Sequence, residues 1–186
     1  MNDSSRTGAE ALRVGRRRFL GLGLLGGAAT LLALPAGTSR ADENKAEALV
    51  LSCMDYRLIH DTERYMAGRG LEKKFYHVTL TGAALAAVTP KRKAWNTTFW
   101  DHLETALKLQ PKLGKVFVID HRDCGAYDLL LKNCCRDREG KIDPAKETVA
   151  HTAQLRALRK EIGKRYPKMQ VELLLMDLNG QVEPIA

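Results

Sequence analysis

A single α/β domain, built on a parallel sheet with expected strand order 2-1-3-4, covered by helices on both faces and extended by a short C-terminal hairpin, is the fold class this sequence predicts. Three observations lead there. Apolar, β-rich runs alternate with helical stretches, the pattern of successive β-α units. Two of those runs, Val-Phe-Val-Ile at 116–119 and Leu-Leu-Leu-Met at 173–176, are continuously apolar, as strands buried on both faces must be. The chain has 186 residues, 45% of them hydrophobic, which is enough for one core and short of two.

The elements follow in order. Residues 48–52 read as the first strand, followed by a helix over about 59–66 that Gly68 and Gly70 end. Residues 75–80 make the second strand, and Thr81-Gly82 turns the chain. After Pro90 an amphipathic helix is expected from Thr97 or Thr98, capped by a threonine, with Phe99, Leu103, Ala106 and Leu107 on one stripe and Pro111 at its end. The third strand spans 115–119, and a helix then starts near Gly125 with Cys124 at its mouth. The longest helix runs from about 146 to 165 with Leu155, Leu158 and Ile162 inward, stopped by Tyr166-Pro167. Residues 171–176 are the fourth strand, and Asn179-Gly180 turns tightly into a terminal strand over 182–185.

Residues 1–41 differ from the rest. Arg16-Arg17-Arg18-Phe19-Leu20 precedes a Gly- and Ala-rich apolar stretch to Leu34, and Ser39-x-Ala41 offers a small-residue cleavage site. The paired arginines resemble a twin-arginine export signal, which implies delivery of a folded chain to the periplasm by the twin-arginine machinery and cleavage near Ala41. The apolar run is shorter than the ~20 residues a membrane-spanning helix needs. Domain boundaries are therefore 1–41 for the signal and 42–186 for the mature domain. Removing the signal leaves 24 basic and 20 acidic residues, a net charge of +4 in place of +8. The remaining basic residues are scattered without interleaved aromatics, which argues for solvated faces and against a nucleic-acid groove.

Chemistry concentrates at two strand ends. Cys53, Asp55 and Arg57 follow the first strand in Leu-Ser-Cys-Met-Asp-Tyr-Arg, and His121 and Cys124 follow the third in Ile-Asp-His-Arg-Asp-Cys-Gly. In an open parallel sheet, ligands bind beyond the carboxyl ends of strands where the winding order reverses, and order 2-1-3-4 makes these two strands neighbours there. Two thiols and an imidazole form a three-ligand zinc set (Cys53, His121, Cys124), and three protein ligands leave a position for water or substrate. Zinc lowers the pKa of its water from 15.7 to about 7 and so supplies a hydroxide nucleophile near neutral pH. Asp55 can accept that hydroxide's hydrogen bond and orient it, and Arg57 can hold the carboxylate bidentately.

The four cysteines leave another reading open, because an even number in an exported chain suggests disulfides. Cys134 and Cys135 are adjacent and could bridge only through a strained eight-membered ring, so the remaining bridge would join Cys53 to Cys124. In the polar loop 132–140, Cys134 and Cys135 can be inert thiols, a redox pair or part of a second metal site. His60, His77, His102 and His151 are candidate proton shuttles by chemistry alone, and Arg122 and Asp123 flank the ligands as candidate supporting groups.

Cys53-x-Asp55-x-Arg57 together with His121-x-x-Cys124-Gly125, each after a buried strand, resembles the β-class carbonic anhydrases. That resemblance implies Zn2+ held by Cys53, His121 and Cys124, a catalytic Asp55–Arg57 dyad, carbon dioxide and bicarbonate as substrates, and a homodimer or larger homo-oligomer. It also implies either an open site or one closed by Asp55 on the metal. Where the family commonly carries Arg-Asn-Ala-Gly after the second strand, this chain has Thr79-Leu80-Thr81-Gly82-Ala83-Ala84. The altered wall keeps two alternatives alive: a hydrolase of carbonyl sulfide or carbon disulfide at the same zinc, and a non-catalytic exported zinc-binding domain.

Overall fold

The computed structural model describes residues 45–132 and 134–186; the expected signal, 1–41, lies outside them. The chain runs β1 (Ala48–Cys53), a 3-10 turn (Tyr56–Leu58), α1 (Ile59–Gly68), β2 (Phe75–Leu80), α2 (Ala84–Val88), a second 3-10 turn (Pro90–Arg92) and α3 (Lys93–Leu109). It continues through β3 (Lys115–His121), α4 (Gly125–Leu131), α5 (Pro144–Arg165), β4 (Gln170–Met176) and β5 (Val182–Pro184). The sheet order is β2-β1-β3-β4-β5. The first four strands are parallel, in the order expected, and β5 returns antiparallel on β4. β2 and the three-residue β5, which ends in Pro184, form the two edges.

Alternation along the strands separates two apolar layers. Leu49, Leu51, Val116, Val118 and Leu173 pack with Phe99 and Leu103 of α3 and with Leu155, Leu158 and Ile162 of α5. Ala48, Val50, Phe117, Ile119, Leu174 and Met176 face the other way, against Leu58, Met66 and Leu71. Burial on both sides explains why these strands lack a polar alternation.

Two expectations need correction. α3 begins at Lys93, earlier than Thr97. The Thr97 and Thr98 hydroxyls donate back to the carbonyls of Lys93 and Ala94, one turn earlier within the helix, and so cap nothing. The threonine that does cap is Thr89, whose hydroxyl accepts from the Lys91 amide at the short turn ahead of α3. α5 begins at Pro144, where Asp143 accepts the amides of Ala145 and Lys146.

Cys53 and His121 are the last residues of neighbouring parallel strands, so both lie at the same end of the sheet. The β3–α4 loop returns Cys124 to that end.

Candidate metal centre

Cys53, His121 and Cys124 offer one sulfur or nitrogen each, and these atoms all lie within 4.8 Å of one another. The two sulfurs are 4.0 Å apart and both cysteines are free. The Cys53–Cys124 bridge considered from the sequence is therefore not formed.

His121 is prepared as a ligand. Its Nδ1 lies 2.8 Å from the Arg122 carbonyl, an acceptor only, which places the ring proton on Nδ1. Nε2 then presents its lone pair, and in this 3%-exposed side chain it has no hydrogen-bond partner. A buried nitrogen left bare beside two thiols is costly unless something coordinates it. The donor set therefore fits a tetrahedral N/S-preferring ion such as zinc.

Charge is unevenly divided between the thiols. Cys53 is pulled down to about 4, first by its hydrogen bond with Cys124, with His121 and the Gly82 amide adding to it against the opposing effect of burial. Cys124 moves up because it shares that contact with Cys53 and is buried. His121 moves up: burial opposes the shift and is outweighed by the adjacent Cys53 sulfur, with the Arg122 carbonyl and the Asp55 charge adding to it.

The Gly82 amide lies 3.3 Å from the Cys53 sulfur. Gly82 takes φ +78°, and a Cβ there would stand 3.0 Å from the Ala126 Cβ, so only glycine places this amide without strain. The segment after β2 that departs from the resembled family's pattern is thus a contact of the thiolate itself.

Asp55 and Arg57 meet as expected. Asp55 Oδ1 accepts from the Arg57 backbone amide and Nε, both at 3.0 Å, and Oδ2 accepts from Nη2 at 2.8 Å. These bonds hold the Asp55 carboxyl down at about 2 and raise Arg57 further. Asp55 Oδ2 is 3.8 Å from His121 Nε2, which puts the carboxylate at the rim of the triad. Arg57 also donates through Nη1 to Asp123 Oδ2 (2.9 Å) and through Nη2 to the Asp123 carbonyl (3.0 Å). The guanidinium thereby ties the β1 motif to the β3 motif.

Both candidate supporting groups have clear partners. Asp123 sits at φ +55°, and its amide donates to Glu147, a carboxylate only 2% exposed on α5. Arg122 pairs with Glu147, Asp177 and Glu183, tying the ligand loop to α5 and the terminal hairpin. Sequence reasoning missed Glu147.

It also missed a polar cluster behind the ligands. Asp120, next to His121 on β3 and 1% exposed, accepts the Ala84 amide (3.0 Å) and the Tyr127 hydroxyl, with His151 Nδ1 2.9 Å from the same oxygen as Tyr127. The signal was available: a carboxylate closing an otherwise apolar run must find donors inside the fold. His151 is fully buried, which removes it from the solvent-facing shuttle candidates. His60 and His102 lie on exposed surface, and His77 Nε2 is 2.7 Å from the Ser52 hydroxyl.

No family model matches the chain. An uncharacterized protein of Rickettsia conorii is 38% identical over 142 residues, covering 76% of this chain and 73% of that protein. One from Rickettsia bellii is 39% identical over 142 residues, covering 76% and 83%. Among solved structures, similarity extends to one of two tetrameric β-carbonic anhydrases of Sordaria macrospora, at 14% identity and TM-score 0.47 over 78% of this chain and 83% of that one. It also extends to a β-carbonic anhydrase of Aspergillus fumigatus, at 16% identity and TM-score 0.47 over 75% and 74%. A point mutant of a second β-carbonic anhydrase of that fungus aligns at 12% identity and TM-score 0.48 over 86% and 94%.

Proposed function

The chain belongs to one family with these two rickettsial proteins, and from its own site we propose that it is a zinc enzyme catalysing the reversible hydration of carbon dioxide to bicarbonate. The observation that carries this reading is the bare, buried His121 Nε2 beside two free thiols, with the Asp55–Arg57 pair at the rim. Cys53, His121 and Cys124 would hold the ion, which supplies the Lewis acidity that makes water acidic near neutral pH.

The rest falls to the chain. Asp55, ionised and fixed by Arg57, accepts a hydrogen bond from the reacting water through Oδ2 and turns its lone pair toward carbon dioxide. Arg57 is fixed in turn by Asp123, so the carboxylate cannot fall onto the metal without breaking three hydrogen bonds. This favours an open fourth position over a site closed by Asp55. Glu147 holds the Asp123 amide and thus the span between the two β3-side ligands.

With this reading go two further proposals. Residues 1–41 act as a twin-arginine signal cleaved near Ala41, which delivers the folded domain 42–186 to the periplasm; N-terminal sequencing of the exported protein tests it. The domain works as a homodimer or larger homo-oligomer, tested by sedimentation.

Stopped-flow hydration by the zinc-loaded protein, from mildly acidic to mildly alkaline pH, tests the activity. Hydration should be fast in the parent and roughly ten- to a hundredfold slower in Asp55→Asn. One bound zinc per chain with no hydration at any pH would overturn the reading.

A further inference from the structure

Cys134 and Cys135 take no part in the centre described above, yet their sulfurs lie 2.8 Å apart. Adjacent side chains in extended backbone point to opposite sides, so convergence of neighbouring thiols has to be imposed by the local fold. Here the loop imposes it. The Cys135 carbonyl accepts the Asp143 amide at 2.8 Å, and Arg136 bridges to Ile142. The Arg136 guanidinium holds Asp128 of α4 and the Gly140 carbonyl, while Lys146 Nζ reaches the Arg136 carbonyl at 3.0 Å. Asp137 closes the turn beneath by accepting the amides of Glu139 and Lys141.

The two thiols differ in access. Cys135 is 4% exposed and packs with Leu85, Tyr127 and Leu130, which corrects its placement in a simply polar loop. Cys134 is half-buried and reachable from solvent. One accessible sulfur beside one sheltered sulfur at contact distance is the arrangement of an attacking and a resolving thiol.

We propose that Cys134 and Cys135 form a reversible vicinal dithiol–disulfide couple, separate from the Cys53–Cys124 thiols, that closes by exchange with a small-molecule disulfide. Cys134, as thiolate, attacks one sulfur of the disulfide RSSR. A Cys134–SR bond forms, the S–S bond breaks, and RS− leaves and takes up the proton Cys134 lost. The Cys135 thiol gives its proton to solvent and attacks the Cys134 sulfur, forming the Cys134–Cys135 bond and expelling the second RS−, which is protonated in turn. Two thiols are oxidised by two electrons, and one disulfide is reduced to two thiols. The product is an eight-membered ring whose neighbouring Cα atoms are closer than an ordinary bridge prefers, so it reopens readily with a reducing dithiol.

The test uses oxidised glutathione on the full zinc-loaded chain, followed by tryptic mass spectrometry and thiol counting. Cleavage after Lys132 and Arg136 releases both cysteines on one short peptide. The expected result is a peptide two hydrogens lighter, loss of two of the four thiols with zinc retained, and full recovery in dithiothreitol. Cys135→Ser should instead stop at a stable glutathione adduct on Cys134. Closure should survive in a Cys53→Ser/Cys124→Ser double variant, so the result does not depend on whether the chain binds zinc or hydrates carbon dioxide. Retention of both thiols in the parent, or a glutathione adduct on Cys134 that never resolves, would overturn the proposal.

Discussion

Replacing Tyr127 with phenylalanine removes one oxygen from the polar cluster behind the ligands and leaves the ring in place. Tyr127 is 1% exposed, and its hydroxyl donates to Asp120 Oδ2; burial foremost, with the Asp120 charge, pushes its ionisation well above the ordinary phenol value and keeps the proton available. The substitution opens no side-chain-sized cavity, so the expected cost is that of the hydrogen bond. A lost bond to a carboxylate costs about 1.5–3 kcal/mol. Because Oδ2 keeps His151 Nδ1 at 2.9 Å and Oδ1 keeps the Ala84 amide, the lower part of that range, about 2 kcal/mol, is expected. Urea unfolding should show a lower midpoint at unchanged m, and melting should fall by roughly 4–8 °C for a chain of this size. Bound zinc per chain should not change, since the hydroxyl removed bonds to Asp120 and not to Cys53, His121 or Cys124. A loss under about 0.5 kcal/mol would mean that the cluster is not tightened by this hydroxyl and would refute the reasoning.

Other substitutions probe other parts of the site. Gly82→Ala forces a left-handed residue to carry a Cβ against Ala126 and should cost about 1–2 kcal/mol while weakening zinc retention, read by competition with a chromogenic chelator. Arg57→Ala frees Asp55 and Asp123 together and should slow hydration roughly ten- to a hundredfold with zinc still bound; unchanged turnover would remove Arg57 from the mechanism. Asp143 is held below the ordinary carboxylate value, first by the Lys146 amide. A carboxyl depressed on folding adds stability that is complete above its unfolded value, about 3.9, and is lost as pH falls through the folded value. Asp143→Ala should therefore melt lower than the parent near neutral pH, with the gap narrowing in acid below the unfolded value; a gap constant with pH would be the wrong result.

The Cys53–His121–Cys124 cluster and the Asp55–Arg57 pair were legible because each group sits within a few residues of a strand end, and a parallel sheet forces neighbouring strand ends together. Asp55 needed only the period of an extended chain to fall on the side of Cys53, whereas Arg57 reaches it from the 3-10 turn over Tyr56–Leu58. α2 was not legible, since its five residues, Ala-Leu-Ala-Ala-Val, four of them buried, show no amphipathic period. Thr97 and Thr98 misled because a hydroxyl that caps a helix and one that bonds back within it look alike in sequence. The Asp120–Tyr127–His151 cluster draws on three elements up to 31 residues apart, which no local pattern connects. Cys135 was hidden by its neighbours' polarity: Lys132, Arg136 and Asp137 describe the outside of a loop whose inside is apolar.

The two ends of the sheet are not equivalent. β5 is three residues long and finishes in Pro184, which has no amide hydrogen to offer, so that edge resists further strand addition. β2 is six residues long, carries no Lys, Arg, Asp, Glu or proline, and leaves one side of its backbone without a strand among the described residues. Growth of the sheet is thus open in one direction only. Two copies joined back to back along β2 would make a ten-stranded sheet with a proline-blunted strand at each end, so strand addition among the described residues would close at a pair.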